Sequence, residues 1–225
     1  MTGRSGARVH ARPVVDWYFD VISPFAYLQA ERLDEVEAVA DVRCVPILFA
    51  GLLERWGQKG PAEIAPKRRF TYRYFLWAAT RRGLQPRVPP AHPFNPLKLL
   101  RLAVALEARR DAVLEIFRFV WRDGLTADDP ASWRSLCARL GVHDAETCIA
   151  APEIKARLRD NGAAAVASGV FGVPSFVTAD GELFWGDDAT AMLLDYLAGA
   201  PLFDSPEMQG ADDLPMAAQR IPLTR

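Results

Sequence analysis

The chain has 225 residues, of which 50% are hydrophobic and 24% charged, with a formal net charge of −1. Such a composition belongs to a globular protein with a sizeable core, and the near-zero charge gives no electrostatic case for nucleic acid or an anionic membrane surface. No apolar run approaches the roughly 18 residues that span a bilayer, so no membrane segment is expected.

The start, Met1 to Arg12, is basic but has no apolar stretch of the secretory kind. A disordered extension over 1–12 is expected there. Cys44, Cys137 and Cys148 are scattered and odd in number, and no pair has the C-x-x-C spacing of a redox or zinc site. A reducing compartment fits this usage, and cytoplasm is the expected location.

Val14 to Phe19 reads as a strand, and Pro24 to Val39 follows with helical spacing of Phe25, Leu28, Leu33, Val36 and Val39. Pro24 suits a first helical turn because its missing N–H would have had no partner. Val42 to Phe49 reads as a second strand, with Pro46 marking an edge or a bulge. Strand, helix, strand over this length implies a parallel pair. Pro66 to Arg82 reads as helical, and 84–96 as a proline-rich ordered loop. Helical periodicity resumes over 97–110, 112–123, 132–140 and 145–150, and a further helix runs from Pro152 to Ser168, ended by Gly169. Ser175–Thr178 and Glu182–Trp185 flank Ala179-Asp180-Gly181, a hairpin signal. Asp187 or Asp188 can cap a last helix through Leu197, and the tail from Pro201 is expected to be mostly unstructured.

The chemistry-bearing candidates cluster at four places. Ser23 stands where an apolar strand runs into Ser-Pro and a helix. A helix N-cap is the commoner reading of such a serine, yet a hydroxyl at the positive end of a helix can also donate to a bound anion such as a thiolate. No Ser-His-Asp grouping is evident, so Ser23 is not expected to be an acyl-transfer nucleophile. Val173-Pro174 is either a plain turn before a strand or an exposed backbone edge able to pair with a peptide-like ligand. In Phe184-Trp185-Gly186-Asp187-Asp188 the paired acids either cap a helix or receive an amino group, and Gly186 permits close approach of a ligand. Lys59 and Lys67-Arg68-Arg69 are either a solvated basic face or a carboxylate-holding group. Phe70, Tyr72, Tyr74, Phe75 and Trp77 read as mostly core.

Taken together, Phe19-Asp20-x-x-Ser23-Pro24-Phe25-Ala26-Tyr27-Leu28, Phe171-Gly172-Val173-Pro174 and Phe184-Trp185-Gly186-x-Asp188 resemble the 2-hydroxychromene-2-carboxylate isomerases, relatives of kappa-class glutathione transferases in the DsbA-like branch of the thioredoxin superfamily. The resemblance runs from about Val14 to Gly199. It implies an α/β fold with a thioredoxin-like core (β-α-β … α-β-β-α), formed by 13–50 and 151–200 and interrupted by an all-helical insertion over 51–150. A tail follows at 201–225. It also implies glutathione as cofactor, with its thiol at Ser23, its cysteinyl backbone on Val173 before a cis Pro174, and its γ-glutamyl end near Trp185, Gly186, Asp187 and Asp188. Gln58 and Lys67 fall where the kappa enzymes use an asparagine and a lysine near the ligand. Leu53 replaces an expected substrate-side lysine, Ala189 stands where arginine is usual, and Asn95 is a further substrate-side candidate. The implied reaction interconverts 2-hydroxychromene-2-carboxylate, or a close aromatic analogue, and trans-o-hydroxybenzylidenepyruvate. The alternatives are a kappa-like transferase or peroxidase acting on another electrophile, and a non-catalytic glutathione-binding relative. The implied partners are a small aromatic 2-oxo acid or chromene carboxylate and a second copy of the chain. Disulfide exchange is disfavoured, because Ser23 and Ala26 occupy what would be the C-x-x-C positions.

Overall fold

The computed structural model describes residues 12–211 and 213–218; the expected extension over 1–12 lies outside them except for Arg12. A four-stranded sheet has the order β2-β1-β3-β4. Strand β1 (Val14–Phe19) pairs parallel with β2 (Asp41–Pro46) and antiparallel with β3 (Ser175–Thr178), which pairs antiparallel with β4 (Leu183–Trp185). β1 is central and alternates its burial: Val15, Trp17 and Phe19 enter the main core, while Tyr18 enters a smaller cluster with Ile47, Leu52, Val170 and Val177 on the other face. Pro46 ends the edge strand, where a missing N–H breaks no ladder.

The expected helix over Pro24 to Val39 is two helices, α1 (Pro24–Ala30) and α2 (Leu33–Glu37). Arg32, at φ −131° and ψ 19°, leaves the helical region between them. The second strand also ends earlier than expected, at Pro46, and Phe49 opens a helix the periodicity did not separate, α3 (Phe49–Trp56). Gly57 closes α3 with φ +61°, a left-handed cap that suits glycine.

Helices α4 (Ala65–Arg81), α5 (Leu97–Ala105), α6 (Arg110–Trp121), α7 (Pro130–Arg139) and α8 (Ala145–Ala150) form the insertion, and α9 (Pro152–Ala167) returns the chain to the sheet. The insertion is fused to the sheet through one hydrophobic cluster. Trp17 stacks on Phe19 at 4.7 Å between ring centroids, Phe19 meets Phe117 of α6 at 5.4 Å, and Phe75 of α4 meets Trp121 at 5.3 Å. Each such ring contributes roughly 1.5–3 kcal/mol through burial.

After the hairpin, α10 (Thr190–Leu197) has Ala189 at its N-cap and no side-chain cap bond. The expected cap by Asp187 or Asp188 does not form, because Asp187 is held by an arginine. Residues beyond Pro201 also depart from expectation: Pro201–Asp204 forms a 3-10 turn and Pro206–Gln209 a short helix, α11. Phe203 packs edge-on against Tyr196 at 5.0 Å, which anchors the turn. Among the described residues, no helix is long and apolar enough to cross a membrane.

Candidate active site

Ser23 is the N-cap of α1 and nearly buried. Its Oγ accepts from the Ala26 N–H at 3.2 Å and donates to the Val173 carbonyl at 3.4 Å. Capping and ligand binding are therefore compatible. The lone pair serves the helix, while the hydrogen makes a long bond that a nearby anion would outcompete.

The approach to Ser23 is bound at every peptide. The Asp20 carbonyl accepts from the Ser23 N–H at 3.0 Å. The Asp20 carboxylate accepts from Ile22 N–H at 3.0 Å and from Phe49 N–H at 2.8 Å, so it joins the α1 entry to the first residue of α3. The Val21 carbonyl accepts from Trp121 Nε1 and the Ile22 carbonyl from His92 Nε2, each at 2.8 Å.

Asp20 is fully buried, and desolvation pushes its carboxyl up to about 7 against the downward pull of the two backbone bonds. The folded protein thus keeps a proton that the unfolded chain releases near 3.8. For such a group, stability is fully present below the unfolded value and is lost as pH rises to about 7, by about 1.4 kcal/mol for each unit of difference. Asp20→Asn removes this titration but turns an amide N–H toward a backbone N–H. The variant is expected to be less stable than the parent at pH 4.5, with the gap narrowing by a few kcal/mol at pH 7.5. Urea unfolding at the two pH values measures it; a gap independent of pH would refute the shift.

Opposite Ser23 lies the loop over 170–174, with a cis peptide at Val173–Pro174. Trp56 of α3 donates Nε1 to the Val170 carbonyl at 3.0 Å, and Ser175 Oγ donates to the Gly172 carbonyl at 2.8 Å. The Val173 N–H has no partner among the described residues. Trp185 covers Gly172 so closely that a Cβ there would stand 2.4 Å from its Nε1. Gly172→Ala is therefore expected to displace the Trp185 indole, read as a change in tryptophan fluorescence and a weaker ligand site.

Gly186, at φ +98°, turns the chain so that its N–H reaches the Pro174 carbonyl at 2.9 Å. Its own carbonyl accepts from Gln29 Nε2 at 3.0 Å, and Gln29 Oε1 accepts from Trp17 Nε1 at 2.6 Å. Asp187 is buried and forms a two-pronged ion pair with Arg82, one bond being 2.9 Å. Asp188 is exposed, with no ion pair among the described residues.

The structure thus brings Ser23, Val173, Pro174, Trp185, Gly186, Asp187 and Asp188 onto one connected framework. Gln58, exposed beyond α3, and Lys67, exposed in the first turn of α4, make no hydrogen bond to it among the described residues. Leu53 packs toward Gly60, and Asn95 Oδ1 accepts from Leu97 N–H at 3.0 Å at the start of α5. The expectation that the α4 aromatics are mostly core is overturned. Phe75 is buried, whereas Phe70 is 68%, Tyr74 42% and Trp77 59% exposed. Phe70, Tyr74 and Trp77 recur on one face at helical spacing, flanked by Arg69 and Arg73. Tyr74 meets Phe25, two residues from Ser23, at 5.8 Å.

Trp56, Arg82 and His92 received no site role from the sequence, and Asp20 entered only as part of the motif around Ser23. An acid directly after the apolar run of β1 was a visible signal for Asp20; the other three had none.

A profile of the DSBA-like thioredoxin domain matches residues 14–198. The chain is 27% identical over 208 residues to a glutathione S-transferase kappa 2 of Caenorhabditis elegans, covering 83% of this chain and 92% of that protein. It is 28% identical over 200 residues to a 2-hydroxychromene-2-carboxylate isomerase of Pseudomonas sp. strain C18, covering 84% and 92%. The solved structure of a 2-hydroxychromene-2-carboxylate isomerase matches with a TM-score of 0.73 at 24% identity, over 90% of this chain and 100% of that one. The cytosolic disulfide reductase DsbM of Pseudomonas aeruginosa matches at 0.56 and 19% identity, over 83% and 100%. These two structural likenesses speak for the fold, which is the thioredoxin-like core with a helical insertion traced above. With the profile spanning both halves of that core, the chain belongs to the DSBA-like thioredoxin family.

Proposed function

We propose that the protein is a glutathione-dependent isomerase acting on 2-hydroxychromene-2-carboxylate or a close aromatic analogue. The observation that carries this reading is the Ser23 hydroxyl at the start of α1, in a long hydrogen bond to the Val173 carbonyl. A hydroxyl there cannot form a disulfide but can steady a sulfur anion that arrives with a ligand. The Val173 N–H, without a partner among the described residues, fits an extended peptide-like molecule such as glutathione.

Glutathione would supply a thiolate that adds to the chromene carboxylate, opens its ring and is itself expelled unchanged. The chain's own residues bind and orient. Ser23 Oγ–H and the α1 N-terminus favour negative charge on sulfur, and the Val173 backbone holds the ligand's cysteinyl unit. Asp188 is the acid open to an ammonium group, since Asp187 is committed to Arg82. Gln58, Lys67, Leu53 and Asn95 are then secondary candidates that would reach the ligand from its flanks. The exposed Tyr74 and Trp77 rings, with half-buried Phe25 against Tyr74, suit a planar aromatic substrate, with Arg69 and Arg73 beside them for its carboxylate.

A second reading is favoured by the openness of that aromatic face and by the kappa-class relative: a transferase or peroxidase that consumes glutathione. The test follows the ultraviolet absorbance of 2-hydroxychromene-2-carboxylate with and without glutathione, together with total free thiol. Glutathione-dependent conversion with constant thiol establishes the isomerase. Thiol loss with other electrophiles establishes the transferase. Glutathione binding without either leaves a non-catalytic binding protein.

A further inference from the structure

His92 is half-buried in the proline-rich loop between α4 and α5, far along the chain from Ser23, yet its ring reaches the reactive turn. Its Nε2 lies 2.8 Å from the Ile22 carbonyl, immediately before Ser23. A carbonyl oxygen can only accept, so Nε2 carries the hydrogen and Nδ1 of the neutral ring is left as an acceptor. Tyr72 Oη stands 2.6 Å from that Nδ1 and donates to it. Burial holds His92 below the ordinary imidazole range, which favours this neutral form. The ring cannot drift sideways: Tyr72, Trp121 and Phe94 meet it edge-on or steeply, at 5.5, 5.4 and 5.8 Å between centroids.

The peptide that joins Ile22 to Ser23 is therefore fixed at both ends, its carbonyl by His92 and its N–H, that of Ser23, by the Asp20 carbonyl. A rotation of this peptide would swing the Ser23 backbone and move its Oγ away from Val173, whose 3.4 Å contact has no reach to spare. Tyr72 lies on α4, the helix that also bears the exposed aromatic strip.

We propose that Tyr72 and His92 are positioning residues: the Tyr72 hydroxyl fixes the His92 tautomer, and His92 Nε2–H fixes the Ile22 peptide that aims the Ser23 hydroxyl at the bound thiol. This rests on the glutathione-dependent reading for its catalytic consequence, but its structural part does not.

The test compares His92→Phe, His92→Gln and Tyr72→Phe in the full chain. Phenylalanine keeps ring packing and loses the donor; glutamine keeps an N–H for Ile22 and an oxygen for Tyr72. Two readouts are taken: amide hydrogen exchange over 22–27 without glutathione, and steady-state kinetics with it. Expected are faster exchange at Ser23 and about tenfold lower kcat in His92→Phe, the scale of one buried hydrogen bond. The glutathione Kd stays within about twofold, because the Val173 backbone is untouched. His92→Gln should recover most of both, and Tyr72→Phe should fall between. Wild-type exchange at Ser23 in both His92→Phe and Tyr72→Phe overturns the proposal, as does a glutamine variant no better than phenylalanine. If the parent protein shows no glutathione-dependent activity, the functional reading fails, and exchange at Ser23 alone decides for or against the relay. Should His92→Phe not fold, the Tyr72→Phe comparison carries the same decision.

Discussion

Ser23→Ala is expected to lower glutathione-dependent kcat/KM by about 10- to 100-fold while the protein stays folded. The substitution removes one oxygen that serves two partners. Losing the cap acceptor for Ala26 N–H costs about 1 kcal/mol of stability, small beside a typical total of about 5–15 kcal/mol. Losing a donor to an anionic sulfur costs about 1.5–3 kcal/mol, and each 1.36 kcal/mol is about a tenfold change in rate. The sign with pH follows from the same bond. A donor favours the thiolate and lowers the thiol's pKa, so its removal shifts the rising limb of the rate profile to higher pH. Thiolate absorbance of bound glutathione against pH, together with steady-state rates, reads both effects. A variant within twofold of the parent rate at all pH values would remove Ser23 from the chemistry and leave it as a helix cap.

Trp121→Ala is expected to be the most destabilising single change near the site, by about 3–5 kcal/mol. The indole is fully buried, meets Phe75 and His92 edge-on, and donates Nε1 to the Val21 carbonyl. Truncation opens a cavity between α6 and the reactive turn and orphans that carbonyl. In a chain of this size a loss of that order lowers Tm by roughly 6–20 °C, at about 2–4 °C per kcal/mol. Trp121→Phe separates the two contributions: the ring is kept and the N–H lost, for about 1–3 kcal/mol. Denaturant unfolding of both variants provides the measurement. If Trp121→Phe were as stable as the parent, the bond to Val21 would be no part of what holds the turn.

Both expectations share a cause in the architecture. The helical insertion does more than flank the sheet, because Trp121 and His92, the latter backed by Tyr72, bond the Val21 and Ile22 carbonyls just before Ser23. Arg82, just past the end of α4, grips Asp187 ahead of α10. Three polar side chains of the core answer them: Asp20, which joins α1 to α3, and Gln29 with Trp17 behind Gly186.

What the sequence determined by itself was local or periodic. Ser23-Pro24 could be read as a helix start because a cap and a first-turn proline act within four residues of each other. The β-α-β opening and the final hairpin followed from alternation, helical spacing and Asp180-Gly181, and the three ordered motifs carried the family and its fold. The tertiary structure decided whatever depends on where distant segments land. Periodicity gave α4 an aromatic face but could not say which of its faces had a neighbour. Phe75 found one in Trp121, whereas Tyr74 only edges Phe25 and stays exposed together with Phe70 and Trp77. Arg82 meets Asp187 across 105 positions, and His92 meets Ile22 across 70. No spacing rule links such pairs, because their encounter is set by the path of the whole chain. Asp187 looked like a cap for α10, since a short acid before a helix usually bonds the nearest free N–H. Burial beside an arginine offered its carboxylate a stronger, charged partner, and that partner was visible only once the chain had folded.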